Sequence, residues 1–350
     1  MRNPQIIGKA GRDKEFKTEL IYFSGEYKMN NSCRFILVFF CMLTALSAAR
    51  LPAEARIEDV RKENYFFSSG GSLSLFNFRG PVKLFAWDKE ECELVAVKTF
   101  SGEEKGEEAR KWLEKVKIQI KKEGDRIEIC TVYPEGNINV EGEFNLDFGE
   151  GEEYESRGII ERLTYKLMGF LGGVSELITD ILVEKYPVEV AYELKLPRRT
   201  DVTVKTIFGD LELEGLDGEI SVNVIQGMIE MKSLSGKLKG QSVNGDFNLI
   251  DPAGRVEANT VNGSITARLG RMKELESLRS GTINGNMTFE LPEDADATVK
   301  LSAVNGEIEI REGLSFKGKI RSKKVEGVFN QGGPKLEGVA INGWIELKAL

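Results

Sequence analysis

The sequence has no histidine at all, and it has only four cysteines and nine prolines among its 350 residues. Histidine is the commonest general base in enzymes and the commonest side-chain ligand of transition metals, so its absence removes both uses together. Glycine is frequent by contrast, with 37 copies. We therefore expect a protein that is not an enzyme and that needs no cofactor and no metal, and the glycines become the feature to explain.

The charge of the chain is acidic and unevenly distributed. Forty-eight basic and 56 acidic residues give a net charge of −8. The first 55 residues carry 8 basic and 5 acidic side chains, so the remainder is near −11. An acidic body of this kind argues against binding to nucleic acid and against docking on anionic lipid headgroups.

Residues 29–55 have the pattern of a secretory signal peptide. A start at Met29 is followed by an apolar run at 35–49, and Ala53-Glu54-Ala55 then offers small residues for cleavage. The run of about 15 residues is shorter than the roughly 20 that a transmembrane helix requires, which is the competing interpretation. Residues 1–28 are then a polar leader or a misassigned start. We expect export to the periplasm, the cell surface or the medium.

The positions of the four cysteines decide whether the exported chain can contain a disulfide. Cys33 and Cys41 fall within the predicted signal peptide, which leaves Cys92 and Cys130 on two strand-like stretches. Export usually leads to an oxidising compartment, so a disulfide between these two is one alternative. Two small buried side chains are the other, since neither cysteine has the neighbours of a catalytic thiol.

Glycines recur every nine residues between positions 209 and 263 without a slip. An apolar residue stands two positions after each of these glycines, and a second apolar residue often follows two positions later. Such alternation with a period of two is typical of short β-strands. The glycines are Gly209, Gly218, Gly227, Gly236, Gly245, Gly254 and Gly263.

Alternate glycines in this series differ, because asparagine precedes every second one in most repeats. The true unit is therefore about 18–22 residues long and contains two strands and two turns. Asn-Gly suits backbone with positive φ and is also the strongest short signal for a hairpin, so an antiparallel meander or sandwich is the competing fold. The pairs are Asn244-Gly245, Asn262-Gly263, Asn284-Gly285, Asn305-Gly306 and Asn342-Gly343.

Stacked coils explain the repeat better than hairpins, because like residues match at the full repeat and not at the half repeat. Stacking would align the asparagines as a ladder of side-chain amides, with Asn305 after Asn284. The sequence therefore predicts a mainly β protein in which residues 187–350 form a parallel β-solenoid of about 18–22 residues per coil. Its inward residues would be Ile229, Phe247, Ile265, Met287, Ile308, Phe329 and Ile345.

Two segments precede the repeats. Residues 56–148 alternate like strands and predict an N-terminal β region that begins the same architecture. Residues 149–186 break this pattern and predict a short helical insertion, with apolar residues at helical spacing over 155–184. This helix either covers the open end of the solenoid or docks on a membrane surface or a protein partner.

The stretch 192–209 and the repeated Val-Asn-Gly and Ile-Asn-Gly triplets resemble the bacterial putative-adhesin domain family. The opening stretch 71–87 is similar to the same family, and the resemblance covers roughly residues 64–347. It implies a β-solenoid fold and a location in the cell envelope. It implies no established activity and no functional residues.

Three functions follow from these patterns. The first is a structural or binding module of the cell envelope. In it the asparagine ladder, with Trp344, faces a glycan or an envelope protein, or the asparagines only satisfy the geometry of the turns. The second is a regulatory partner in envelope-stress signalling that docks through the helix at 155–184. The third is a polysaccharide-active enzyme, for which Asp210, Asp246 and Asp251 are the candidate acids.

Overall fold

The computed structural model of the chain describes residues 58–102, 106–134 and 186–350. The predicted leader, the predicted signal peptide and the helix predicted at 155–184 lie outside the described residues. None of the described helices is long and apolar enough to cross a membrane. Up to residue 134 the described elements are β1 (Glu58–Phe66), β2 (Gly71–Arg79), β3 (Val82–Trp87), β4 (Glu91–Phe100), α1 (Glu107–Lys115), β5 (Lys117–Glu123) and β6 (Arg126–Val132).

Strands and tight corners make up nearly all of the described chain from residue 186 onward. A single 3-10 turn at Met272–Glu274 interrupts them within this part. The strands are β7 (Val188–Pro197), β8 (Thr200–Phe208), β9 (Leu211–Glu214), β10 (Asp217–Gln226), β11 (Ile229–Lys232), β12 (Ser235–Asn244), β13 (Phe247–Ile250), β14 (Gly254–Asn262), β15 (Ile265–Arg268), β16 (Leu275–Asn284), β17 (Met287–Leu291), β18 (Ala297–Ala303), β19 (Ile308–Ile310), β20 (Phe316–Arg321), β21 (Lys324–Phe329), β22 (Lys335–Asn342) and β23 (Ile345–Ala349).

These strands form two large mixed sheets, both mostly parallel and neither closed on itself, so the mainly β prediction is confirmed. Sheet 1 has eleven strands in the order β1-β4-β7-β3-β9-β11-β13-β15-β17-β23-β19. Sheet 2 has twelve strands in the order β20-β21-β18-β22-β16-β14-β12-β10-β8-β2-β6-β5. The N-terminal strands β2 and β3 join the same two sheets as the repeats, parallel to β8 and β9.

The repeat unit supplies one longer strand to sheet 2 and one short strand to sheet 1. Asn244 ends β12 in sheet 2, and three residues later Phe247 begins β13 in sheet 1. Asn-Gly therefore turns the chain from one sheet to the other and closes no hairpin. The meander alternative is wrong for these repeats, because their strands pair in parallel with the corresponding strand of the next repeat. That strand is 18 residues further on for Ile229 and Phe247, and 22 for Ile265 and Met287.

Alternation along the strands places one apolar row of each sheet in a shared core. In sheet 1 the row runs through Ile229, Phe247, Ile265 and Met287, each of which is at most 1% exposed. Burying a side chain of this size stabilises the fold by about 1.5–3 kcal/mol relative to leaving it exposed. One repeat alone does not bury these side chains, and the side chains of the adjacent repeats complete the burial. The stability of the fold therefore depends on the stacking of repeats.

The glycines of the Asn-Gly corners are required by close approach of successive backbones. A Cβ built on Gly245 would overlap the carbonyl oxygen of Gly227, and one on Gly263 would overlap that of Gly245. Neither Gly245 nor Gly263 has a positive φ. Positive φ, which Asn-Gly pairs commonly accompany, is therefore not the reason for glycine at these two positions. The half-repeat glycines Gly236 and Gly254 do lie in that region, at φ 101° and 79°.

The order of the last strands differs from the order in the sequence. The C-terminal strands β22 and β23 insert between β16/β17 and β18/β19, so Ile345, and not Ile308, follows Met287 in the core row of sheet 1. Phe329 was predicted to join that row and does not. It lies in β21 of sheet 2, in an antiparallel hairpin with β20. The spacing of apolar residues along the chain did not reveal which strands occupy the edge of each sheet.

Of the two remaining cysteines, one points into the core and the other points away from it. Cys92 in β4 is fully buried in the core, whereas Cys130 alternates with the buried Ile129 and Thr131 and so faces outward from sheet 2. Both are free thiols. A disulfide needs Cβ atoms that point toward each other, so the Cys92–Cys130 bridge, one of the two alternatives, is not formed in this structure.

Candidate functional site

The predicted asparagines form a continuous ladder of side-chain amides at the corner between the sheets. Nδ2 of each asparagine donates to Oδ1 of the one before it, at 2.7 Å for Asn262 to Asn244 and 2.7 Å for Asn284 to Asn262. Asn342 then donates to Asn284 at 2.7 Å, and Asn305 donates to Asn342 at 2.8 Å. Asn305 is therefore the last rung and not the fourth, and its Oδ1 receives no hydrogen bond from the described residues.

A second ladder runs one residue beyond the corner glycines. Asp210 Oδ1 accepts the backbone N–H of Met228 at 2.8 Å, and Asp246 Oδ1 accepts that of Ser264 at 2.7 Å. Asn286 Oδ1 accepts the N–H of Trp344 at 3.1 Å in the same way. These short polar side chains thus tie each corner to the next one.

The candidate acids of the enzyme hypothesis are used in this structural role. Asp210 and Asp246 belong to the second ladder, and Asp251 Oδ1 accepts the N–H of Gly270 at 2.7 Å. A carboxylate that accepts a backbone hydrogen bond is held in place by that bond. Such an arrangement suits a fixed corner better than a proton donor for a glycosidic bond.

An open groove lies where the two ladders end, beside the edge strand β19. Its volume is about 780 Å³, and its lining comes from β19, β23 and the corners that precede them. The indole of Trp344 is 45% exposed here, although tryptophan is normally well buried. The lining residues are Asn305, Gly306, Glu307, Ile308, Glu309, Arg311, Gly343, Trp344 and Ile345.

The backbone under Trp344 is fixed on both sides. Its N–H donates to Asn286, and its carbonyl accepts from the N–H of Met287 at 3.0 Å. The next residue, Ile345, donates its N–H to the carbonyl of Glu307 at 2.9 Å. The exposed ring therefore stands on a rigid corner. Less conformational entropy of the protein is lost when a ligand binds to a ring that is already held in place.

The charged groups of the groove divide into paired and unpaired. Arg311 contacts Glu346 at 2.6 Å and Glu309 at 2.7 Å. The hydrogen bond that Arg311 donates to Glu346 raises the pKa of the guanidinium above its ordinary value. The carboxylate of Glu307 has no hydrogen bond or ion pair with the described residues. With Asn305 Oδ1, it leaves two acceptors facing the solvent near the indole.

A smaller groove of about 270 Å³ lies further along the same corner. Met228, 52% exposed, lines it together with Asp210 and the pair Lys83–Glu212, whose charged atoms are 2.7 Å apart. The hydrogen bond to Glu212 raises the pKa of Lys83. This groove has no aromatic ring among its lining residues.

Sequence reasoning found the asparagines and Trp344 but missed Glu307 and Arg311. Arg311 belongs to no repeat position, whereas Glu307 follows a corner glycine as Asp246 does. Glu307 becomes a neighbour of Trp344 only because β19 pairs with β23 rather than with β17. The signal in the sequence was a tryptophan directly after an Asn-Gly corner, where the other repeats have no aromatic residue. It indicated a binding surface at Trp344 but not the neighbours of that residue. The docking surface predicted at 155–184 lies outside the described residues.

Neither a family model nor a curated protein matches the sequence. Among solved structures, a putative cell adhesion protein from Clostridium sporogenes is 11% identical, and the match covers 83% of this chain and 100% of that one with a TM-score of 0.31. A putative adhesin from Bacteroides fragilis is 7% identical, and the match covers 83% of this chain and 97% of that one with a TM-score of 0.35. A putative lipid binding protein from Parabacteroides distasonis is 8% identical, and the match covers 83% of this chain and 96% of that one with a TM-score of 0.25. These TM-scores are low, so the proposals below rest on the geometry of this chain.

Proposed function

We propose that this chain is an exported parallel β-solenoid of the cell envelope that acts as a binding module without catalysis. One observation supports the proposal most: from β8 to β15 parallel strands pair with an offset of 18 residues in both sheets, as Leu238 does with Ile220 and Phe247 does with Ile229. A chain that passes from one sheet to the other at each corner while keeping this offset traces successive coils. Its periplasmic or surface location follows from the signal peptide predicted at 29–55.

The ligand that best fits the groove at Trp344 is an uncharged glycan. The C–H face of a sugar ring packs on an exposed indole, and its hydroxyl groups donate to fixed acceptors. Asn305 Oδ1 and the carboxylate of Glu307 supply these acceptors beside the ring. Because Arg311 is already engaged by two carboxylates, it offers little to an anionic ligand.

The absence of catalysis is supported by what the acidic side chains do. Asp210, Asp246 and Asp251 each accept a backbone N–H from the next turn of chain. Replacing Asp246 by Asn keeps an acceptor in that place, so we expect the variant to fold and to bind as the parent does. Turnover of a glycan that is lost in Asp246→Asn would contradict this part of the proposal.

A glycan array probed with the full chain tests the binding role. We expect the parent to retain uncharged glycans and Trp344→Ala to lose at least ten-fold in affinity for them, since the stacking surface is gone. Met228→Ala is the matched control, because it removes an exposed apolar side chain from the equivalent corner position of an earlier repeat, and it should bind like the parent. Equal binding by Trp344→Ala and the parent, or no glycan retained by either, would overturn the glycan assignment.

A further inference from the structure

The outward face of sheet 2 is buried along the side that adjoins the Asn-Gly corners. A Cβ on Gly240 would meet the ring of Phe247, so Gly240 faces the shared core, and Gln241 and Val243 face away from it. Gln241 is nevertheless 0% exposed and Val243 only 2% exposed. We call the residues that stand two positions before the corner glycines, as Val243 does, the corner row. Four others in this row are at most 7% exposed, and a fifth, Ile283, is half-buried: Ile207, Ile225, Val261 and Ile341.

The core between the two sheets does not account for this burial. Val261, Val339 and Ile341 are buried, yet they do not belong to the core that the two sheets share. The outward face of sheet 1 gives the comparison, because Ile250 in β13 is an apolar residue in an outward position and is only half-buried. Val243 is smaller than Ile250 and equally turned away from the core, yet it has almost no exposed surface. A further layer of protein therefore covers this part of sheet 2.

No described helix or strand forms this layer. The helix α1 lies beside β4 of sheet 1, where Lys98 Nζ donates to the carbonyl of Leu113 at 2.9 Å. The 3-10 turn at Met272–Glu274 precedes β16, so it lies roughly 30 Å from the corner at which that strand ends. The burial is present in a single chain, so a second copy is not needed to explain it. The layer therefore comes from residues of this chain outside the described ranges.

The stretch 135–185 leaves the described fold and returns to it at one end of the corner row. Phe78 of β2 lies beside Ile207, because the residues on either side of these two pair in register, and it is fully buried. The centroid of the Phe78 ring is 5.0 Å from that of Tyr133 and 5.5 Å from that of Tyr186. Tyr133 and Tyr186 stand at the two ends of the stretch, and their own ring centroids are 5.4 Å apart. Both ends are thus fixed where the corner row begins.

The helix predicted at 155–184 has the length and the composition that the corner row requires. Gly169, Gly172 and Gly173 divide it into parts of about 14 and 11 residues, which as helices are roughly 21 and 16 Å long. The row crosses six adjacent strands from β8 to β22, a distance of about 24 Å. Apolar residues at helical spacing match the isoleucines and valines of the row, while the buried amide of Gln241 requires a polar partner. Polar side chains of both signs are available in the segment: Glu161, Arg162, Lys166, Glu176 and Asp180.

We propose that residues 155–184 pack as a helical layer on the outward face of sheet 2, along the corner row from Ile207 to Ile341. This position differs from both alternatives drawn from the sequence, in which the helix covers the open end of the solenoid or docks on a membrane or a partner. The apolar side of the helix is engaged within the chain, so it is not available to a membrane or to a signalling partner. The inference does not rest on glycan binding at Trp344.

Thiol labelling at the corner row tests this proposal. Val243→Cys places a thiol in the row, and Ile250→Cys places one on the outward face of sheet 1 as the matched control. Each is made in the full chain and in a chain whose residues 149–184 are replaced by a Gly-Ser linker, and peptide mass spectrometry resolves the sites. We expect iodoacetamide to modify Val243→Cys at least ten-fold faster after the replacement and Ile250→Cys to change less than two-fold, because only the first thiol loses its cover. An unchanged rate at Val243→Cys, or an equal increase at both thiols, would overturn the proposal.

Photo-crosslinking in the full chain identifies the covering segment, and it does not depend on how the shortened chain folds. The photoreactive residue p-benzoylphenylalanine replaces Ile283, because this half-buried member of the row leaves room for a larger side chain. After irradiation we expect a cross-link within the monomer to a peptide from 155–184. The same photoreactive residue in place of Ile250 is the control and should give no cross-link to that peptide. A cross-link from position 283 to a second copy or to another segment, or equal cross-linking from the two positions, would show that the proposed layer is not there.

Discussion

The side-chain amide of Asn262 donates a 2.7 Å hydrogen bond to Oδ1 of Asn244, which lies 18 residues earlier in the chain. Oδ1 of Asn262 in turn accepts from Asn284 at 2.7 Å. An interior rung of the ladder thus makes two such bonds, whereas the terminal rung, Asn305, makes one. The ladder converts a residue that is common in turns into a link between successive repeats.

We expect Asn262→Ala to lower the free energy of unfolding by about 1–2 kcal/mol and Asn305→Ala by about half as much. The reason is that a hydrogen bond of this kind contributes about 0.5–1.5 kcal/mol net. Urea unfolding of both variants, followed by circular dichroism, measures the difference. Equal losses at the two positions would mean that the ladder bonds contribute nothing beyond the loss of a turn residue.

The sequence period identified which residues stack but not the order in which they do so. The row that contains Ile229, Phe247, Ile265 and Met287 was predicted correctly, because a regular spacing of 18 to 22 residues between apolar residues survives only where successive repeats share one core. The same spacing continued to Phe329, where it was misleading. The 21-residue interval before Gly327 looks like another coil, yet it contains an antiparallel hairpin.

The groove at Trp344 shows why the site could be predicted only in part. Trp344 follows an Asn-Gly corner and could be read from the repeat, but Glu307 becomes its neighbour through the insertion of β23 beside β19. Insertion of a late strand between two earlier ones is a long-range event that leaves no local pattern. Residues such as Arg311, which pairs with Glu346 across that junction, follow from the fold and not from the period.

The corner glycines give a second prediction. Gly245→Ala should lower the free energy of unfolding by at least about 3 kcal/mol, because its Cβ would overlap the carbonyl oxygen of Gly227 and force adjacent coils apart. Gly124→Ala is the control: it has φ 59° but no atom within 4 Å of its Cβ, so only the backbone strain of about 1 kcal/mol applies. Similar losses in the two variants, measured by urea unfolding, would show that close approach is not what selects glycine at the corner.

The buried thiol gives a third prediction, on pH. Burial raises the pKa of Cys92 to about 12, whereas a thiol in an unfolded chain has a pKa of about 8.5. The folded chain keeps this proton over a range in which the unfolded chain loses it, so the contribution of Cys92 to stability falls as the pH rises above about 8.5. In Cys92→Ala this part of the pH dependence should disappear, as measured by urea unfolding between about pH 8 and pH 10.

Alkylation provides the matched comparison for the thiol. At about pH 8.5, iodoacetamide should modify the half-buried Cys130 much faster than Cys92 in the folded protein, because the thiolate is the reactive form and Cys92 is both neutral and enclosed. In urea the two rates should converge. Peptide mass spectrometry resolves the sites, and equal rates in the folded state would contradict the burial of Cys92.

The fourth prediction concerns the inserted C-terminal strands. Deleting residues 335–350 removes β22 and β23, which pair with β16 and β17 on one side and with β18 and β19 on the other. We expect the region 297–329 to lose its attachment to the sheets and to become sensitive to protease, while residues 186–291 stay resistant because their pairing partners remain. Deleting Leu350 alone, which is 48% exposed, is the control and should change neither region. If 297–329 stays protected in the truncated chain, β18 can dock directly on β16 as a consecutive coil would, and the insertion would then be a preference of the full chain rather than a requirement for order in that region.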